Sequence, residues 1–129
     1  MSSYNKIKAL RVPLAKYGYA DDPYKVESEN ESAFNKRYGV DEKYFEVTCT
    51  QNGTYYLDYI LLSDNDSEGE YTKCRDLTAN EQAKYEGTFK QIIPSINMSD
   101  VHLVEYSWYN ATEPADTYEP AEDPFNEEV

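Results

Sequence analysis

Cysteine, histidine and positive charge are scarce in this chain of 129 residues, which has two Cys, one His and 12 Lys plus Arg against 25 Asp plus Glu. Two Cys and one His are too few for a structural zinc site, and Cys49 and Cys74 do not make the disulfide framework of a small secreted domain. The five Gly are scattered as turns and stops, so there is no glycine-rich phosphate loop. No apolar run approaches the roughly 18 residues of a membrane span, and the opening Met1-Ser2-Ser3-Tyr4-Asn5-Lys6 lacks the apolar core of a secretory leader. These absences predict a cytoplasmic protein without a Cys49–Cys74 disulfide. In that compartment the Asn-x-Ser/Thr triplets at Asn30, Asn52, Asn65, Asn97 and Asn110 are composition rather than glycosylation signals.

What is abundant is acid and tyrosine. The formal charge is −13, which leaves few cations to release counterions from phosphates and sets the chain against an anionic membrane. The charge predicts no direct nucleic-acid or membrane binding; the electrostatically natural partner is basic. Hydrophobic residues are 40% and aromatics 15%, too many for a wholly disordered acidic chain, and fourteen of the nineteen aromatics are Tyr. Tyr buries a ring while its hydroxyl stays wet, a combination favoured at protein interfaces.

The length fits one domain. Residues 6–12 alternate as a strand ended by Pro13. Ser28-Glu29-Asn30-Glu31 has capping-box spacing and predicts a helix of about three turns through Ala33, Phe34 and Tyr38, stopped by Gly39. Residues 43–50 and 54–62 flank Gln51-Asn52-Gly53 and predict a hairpin. Its first strand has one apolar face and belongs at the sheet edge; its second is apolar on nearly both and belongs inside. Residues 63–76 read as a polar loop. A second capping box, Thr78-Ala79-Asn80-Glu81, opens a helix carrying Tyr85, Phe89, Ile92 and Ile93, with Pro94 as terminator, and residues 101–109 form the last strand.

This order predicts an α+β fold of ferredoxin-like βαββαβ type over residues 1–109. Two helices would cover one face of a four-stranded antiparallel sheet, leaving the other face open. Residues 110–129 hold seven acids, no base and three Pro, and predict an acidic tail, extended or disordered.

Three sets of residues invite a chemical reading. Acids at Asp64, Asp66 and Glu68 with Gly69 resemble the opening of an EF-hand loop, but the twelfth position, which should be a bidentate Glu, is Arg75. A calcium-binding or small-ligand module built on this loop is therefore the alternative reading, and no metal or other cofactor is otherwise implied. His102 sits among Val104, Tyr106 and Trp108 in strand alternation, where a hydrogen-bonded structural role fits better than general-base catalysis. No catalytic signature is present, and the chain is expected not to be an enzyme. The third set is the open sheet face, which would carry Tyr44 and Glu46 opposite Tyr56 and Asp58. Tyr beside acid there would repel a phosphate backbone and suit a basic protein.

Carboxylates spaced over a surface can take the places of backbone phosphates, and interleaved Tyr add rigid apolar contact. The expected contact set is Tyr44, Glu46, Tyr56, Asp58, Glu105 and Tyr109 on the strands, with Asp64, Asp66, Glu68 and Glu70 in the loop. In size, acidity and lack of catalytic motifs the chain resembles small phage inhibitors of host defence nucleases, anti-CRISPR proteins among them. That resemblance is compositional and rests on no motif; it implies a non-enzymatic nucleic-acid mimic that inhibits a basic, nucleic-acid-binding protein. The competing account is an acidic domain whose charge serves only solubility.

Overall fold

The computed structural model describes residues 4–34, 43–49, 53–67 and 71–109. Five strands form one antiparallel sheet: β1 (Tyr4–Pro13), β2 (Tyr44–Cys49), β3 (Tyr55–Ser67), β4 (Tyr71–Asp76) and β5 (His102–Tyr109), in the order β2-β3-β1-β5-β4. The helices are α1 (Lys25–Glu29), α2 (Glu31–Phe34) and α3 (Ala79–Lys90), with short 3-10 turns at Leu14–Tyr17 and Met98–Asp100. The fold is therefore α+β with five strands, and the expected four-stranded sheet is corrected.

The hairpin forms where the Asn-Gly signal put it. Gly53 takes a φ of +88°, the left-handed region an L side chain resists, and Cys49 pairs with Tyr55 across the turn. As the polarity contrast predicted, β2 lies at an edge of the five-stranded sheet and β3 inside it.

The polar loop expected over 63–76 is instead largely strand. β3 continues to Ser67 along β1, with register shifts between Lys8 and Ala9 and between Tyr4 and Lys6 that mark bulges in the pairing. β4 then pairs with β5 on the far side of β1. Asp64-Asn65-Asp66-Ser67 has poor strand propensity; pairing with β1 overrides it.

The helix of about three turns expected from Ser28 differs in its described part: α1 already begins at Lys25 and is broken at Asn30, after which α2 begins. The Asn30 carboxamide donates to the Val26 carbonyl (2.9 Å) and its backbone N–H to Glu27 O (3.1 Å), closing α1 before α2 begins. Tyr38 and Gly39 lie outside the described residues.

The capping box of α3 forms in both halves. Thr78 Oγ1 accepts from the Glu81 N–H (3.2 Å), and Glu81 Oε1 accepts from the Thr78 N–H (2.8 Å). The helix ends in a tight turn in which the N–H groups of Ile92 and Ile93 both donate to Phe89 O, ahead of Pro94. Among the described residues no helix is long and apolar enough to cross a membrane.

Two clusters hold the sheet. On one face Val26, Phe34 and Phe89 from the helices pack with Leu10, Val12, Phe45, Val47, Leu57 and Leu103. The Phe45 ring meets Tyr59 at 4.7 Å and Phe89, edge-on, at 5.5 Å. The smaller cluster is made of strand residues on the opposite face: Ile7, Ala9, Ile60, Cys74, Val104 and Tyr106, with Tyr44 packed against them. The face expected to be open therefore buries Ile7, Ala9, Ile60, Cys74, Val104 and Tyr106.

Candidate functional site

Strand alternation and register place Tyr44, Glu46, Tyr56 and Asp58 on the smaller-cluster face, as the sequence predicts. Their exposure differs from that expectation. Asp58 has no solvent-accessible surface, because β1 lies beside β3 and brings Arg11 directly opposite it. The guanidinium forks onto the carboxylate, Nε to Oδ1 and Nη2 to Oδ2, both at 2.8 Å. Thr48 Oγ1 donates to Oδ2 at 3.1 Å, and the Tyr106 hydroxyl reaches the same oxygen at 3.5 Å. The Arg11 guanidinium also sits 4.7 Å from the Tyr56 ring centre and 5.0 Å from that of Tyr106. Burial first, and then the Asp58 charge, raise the Tyr106 phenol well above its ordinary value. This is a closed ion pair walled by aromatic rings. As a partner contact Asp58 is corrected: its charge is consumed inside the protein. Tyr44, Glu46 and Tyr56 remain partly accessible around it.

Glu105 is corrected for a similar reason. It is 2% exposed, accepts a salt bridge from Lys6 Nζ at 3.5 Å, and has Lys8 and Lys73 as its strand neighbours on either side. Asp64 and Asp66 lie on β3 and Tyr109 ends β5; backbone register sets Asp64 opposite Lys6 and Tyr109 opposite Tyr4. Glu68 and Glu70 lie outside the described residues, as does the acidic stretch 110–129. Among the described residues no group of three or more His, Cys, Asp or Glu is placed to hold a metal ion.

Residues 1–20 carry Lys6, Lys8, Arg11 and Lys16 and no acid, and these bases explain the corrections. Arg11 takes Asp58, Lys6 takes Glu105, and Lys16 meets Asp100 at 3.2 Å, where the Tyr17 hydroxyl also donates at 2.5 Å. The Tyr17 hydrogen bond is the main cause that holds Asp100 below the usual carboxylate range. His102 is held across the β4–β5 pair by Asp76, Nε2 to Oδ1 at 3.0 Å. Cys49 and Cys74 are both free thiols on strands at opposite edges of the sheet, too far apart to bridge. Burial pushes the Cys74 thiol up to about 12.

A groove of about 440 Å³ runs between α3 and the Met98 turn, lined by Ala79, Gln82, Ala83, Glu86, Ile96, Asn97 and Met98. Its one ionisable group, Glu86, pairs with Lys90 at 3.3 Å, so it brings no two titratable groups together for acid–base chemistry.

A run of exposed acid lies elsewhere, in a segment where the sequence pattern marked only the Ser28–Glu31 capping box. Asp21, Asp22, Glu27, Glu29 and Glu31 are all exposed, and Lys25 is the only base among them. Local bonds shape the segment: Lys25 N–H to Asp22 O (3.2 Å), Val26 N–H to Pro23 O (3.4 Å) and Glu27 N–H to Tyr24 O (3.1 Å). Fully buried Val26 anchors it to the main core. Tyr24 is 52% exposed and stands edge-on to Tyr55 at 5.6 Å, while the Tyr19 hydroxyl donates to Glu29 at 2.9 Å. Five acids around one apolar anchor, Val26, was the signal available in the sequence.

Set against protein-family models, curated proteins and solved structures, the chain matches none of them.

Proposed function

We propose that this chain is a non-enzymatic protein-binding module that presents acid and tyrosine to a basic partner, taking the place of that partner's nucleic acid. One observation carries the reading: an exposed aromatic ring, Tyr24, lies in a segment that carries five exposed acids and a single base. Carboxylates held on an anchored turn and short helix offer fixed negative charge to Lys and Arg side chains that otherwise meet phosphates. The proposed contact set accordingly moves to Asp21, Asp22, Tyr24, Glu27, Glu29 and Glu31, with Tyr44, Glu46 and Tyr56 as secondary contacts. A basic nucleic-acid-binding protein, such as the nucleases that acidic phage inhibitors occlude, is the partner class this surface suits.

The test is capture from a native lysate on the immobilised full chain, repeated after nuclease treatment. The captured protein should be basic, should survive nuclease treatment, and should be displaced by duplex DNA or by salt raised several-fold above about 0.1 M. A captured protein that is acidic, or that stays bound under both challenges, contradicts the proposal.

A further inference from the structure

We infer that the Tyr24–Tyr55 ring pair is an arginine-recognition point, so that the basic partner engages this surface through a guanidinium rather than an ammonium group. The inference rests on the binding function proposed above and specifies its chemistry. Tyr24 is one of two large apolar side chains left substantially exposed among the described residues, the other being Leu62 at 43%. An exposed ring among acids is an unfavourable neighbour for an apolar partner surface and a favourable one for a cation with a flat face. Tyr55 meets Tyr24 edge-on at 5.6 Å with the planes 79° apart, which fixes the ring on the surface.

Acids flank that ring along the chain. Asp21 and Asp22 precede Tyr24 in the turn, and Glu27 follows one helical turn later, its N–H bonded to Tyr24 O. Lys25 leans on Glu29 at 3.9 Å, directing the only local ammonium along the helix.

The interior of the same molecule shows what such a set of groups holds. Arg11 lies over Tyr56 and Tyr106 at 4.7 and 5.0 Å while both of its forked bonds go to Asp58. At Tyr24 an aromatic ring pair within an acid-rich segment offers the same two kinds of group on an exposed surface. Guanidinium stacks on a ring and forks onto a carboxylate at once; an ammonium is a strongly hydrated point charge and does only part of this.

The probes are labelled octa-arginine and octa-lysine peptides, equal in charge, titrated against the full chain at about 20 mM salt with anisotropy as the readout. Octa-arginine should bind about three- to fivefold more tightly than octa-lysine. Tyr24→Leu, which keeps an apolar side chain and removes the ring, should erase that preference, and Tyr24→Phe should retain it. Equal binding of the two peptides to the native chain overturns the arginine inference while leaving the basic-partner reading standing. An arginine preference that persists in Tyr24→Leu overturns the assignment to this ring. Failure of both peptides to bind overturns the inference and the proposed function together.

Discussion

Removing one half of the Arg11–Asp58 pair should be far more damaging than removing both. Arg11 is 1% exposed and Asp58 0%, and the carboxylate satisfies both forked bonds of the guanidinium at 2.8 Å. Asp58→Leu leaves a buried guanidinium without its counter-charge, and Arg11→Met leaves a buried carboxylate with only Thr48 and Tyr106 as donors. Breaking a buried pair in this way costs about 3–5 kcal/mol, a large part of the roughly 5–15 kcal/mol that holds a domain folded. With a urea dependence of about 1–3 kcal/mol/M, each single variant should lower the unfolding midpoint by about 2 M. The Arg11→Met/Asp58→Leu double variant replaces two charges by apolar side chains of similar bulk, an exchange that is often neutral or stabilising by about 1–4 kcal/mol. Against this, the Thr48 hydroxyl, 3.1 Å from Asp58, loses its acceptor at about 1–3 kcal/mol. These terms nearly offset, so the double variant should lie within about 2 kcal/mol of the native chain. Urea unfolding followed by circular dichroism provides the comparison. A double variant whose loss equals the sum of the singles would refute the reasoning, as would single variants that lose less than about 1 kcal/mol.

Three further outcomes follow from local features. Gly87 is exposed within α3, and a Cβ built on it meets nothing within 4 Å, so Gly87→Ala should add about 0.5–1 kcal/mol and raise the thermal midpoint by a few degrees; a lower midpoint contradicts this. The forked hydrogen bonds from Arg75 lead the causes that lower the Glu81 carboxyl from its ordinary 4.5 to about 2. A depressed folded value means stability that is present above about 4.5 and lost as pH falls toward 2. Glu81→Gln keeps a capping side chain without the charge, so its stability should vary less than that of the native chain over this window; equal pH dependence rules out the linkage. Cys74 is fully buried and Cys49 only partly, so an aromatic disulfide reagent should modify Cys49 first and Cys74 only upon unfolding; simultaneous modification of the two would place Cys74 wrongly.

Much of the fold could be read because its signals were local. The Asn-Gly turn, the Thr78–Glu81 capping box and the contrast between Phe45-x-Val47-x-Cys49 and the nearly uninterrupted apolar run of β3 each state their structure within a few residues. β4 could not be read in this way. In Tyr71-Thr72-Lys73-Cys74-Arg75-Asp76 the described side chains include one buried apolar group, Cys74, and the strand state comes from pairing with β5, some thirty residues away in sequence. The break at Asn30 was hidden because the same Ser-Glu-Asn-Glu run satisfies a helix start and, through the Asn30 carboxamide, a helix stop.

Alternation also misled the choice of site. A period of two shows that Glu46 and Asp58 share a face, but not whether that face is covered or which cation lies across the next strand. Asp58 stood alone as the charged residue in an apolar strand, and Arg11 stood between Leu10 and Val12, both core residues, in β1. Two opposite charges flanked by apolar residues in interior strands were the clue to a buried pair. The 25 acids thus include some matched inside by the basic N-terminal strand, five exposed at Asp21–Glu31, and seven in residues 110–129.

The central claim is that the exposed acids at Asp21–Glu31 stand in for nucleic acid on a basic partner. Its most direct test is the affinity of the captured partner for the native chain and for the Asp21→Asn/Asp22→Asn/Glu27→Gln/Glu29→Gln variant, measured from about 50 to 300 mM salt with and without a competing duplex. The account predicts that the duplex and the native chain exclude each other, that native affinity falls steeply with salt, and that the neutralised variant binds about tenfold more weakly with a shallower slope. A ternary complex with the duplex, or equal affinity of the two chains, would contradict it.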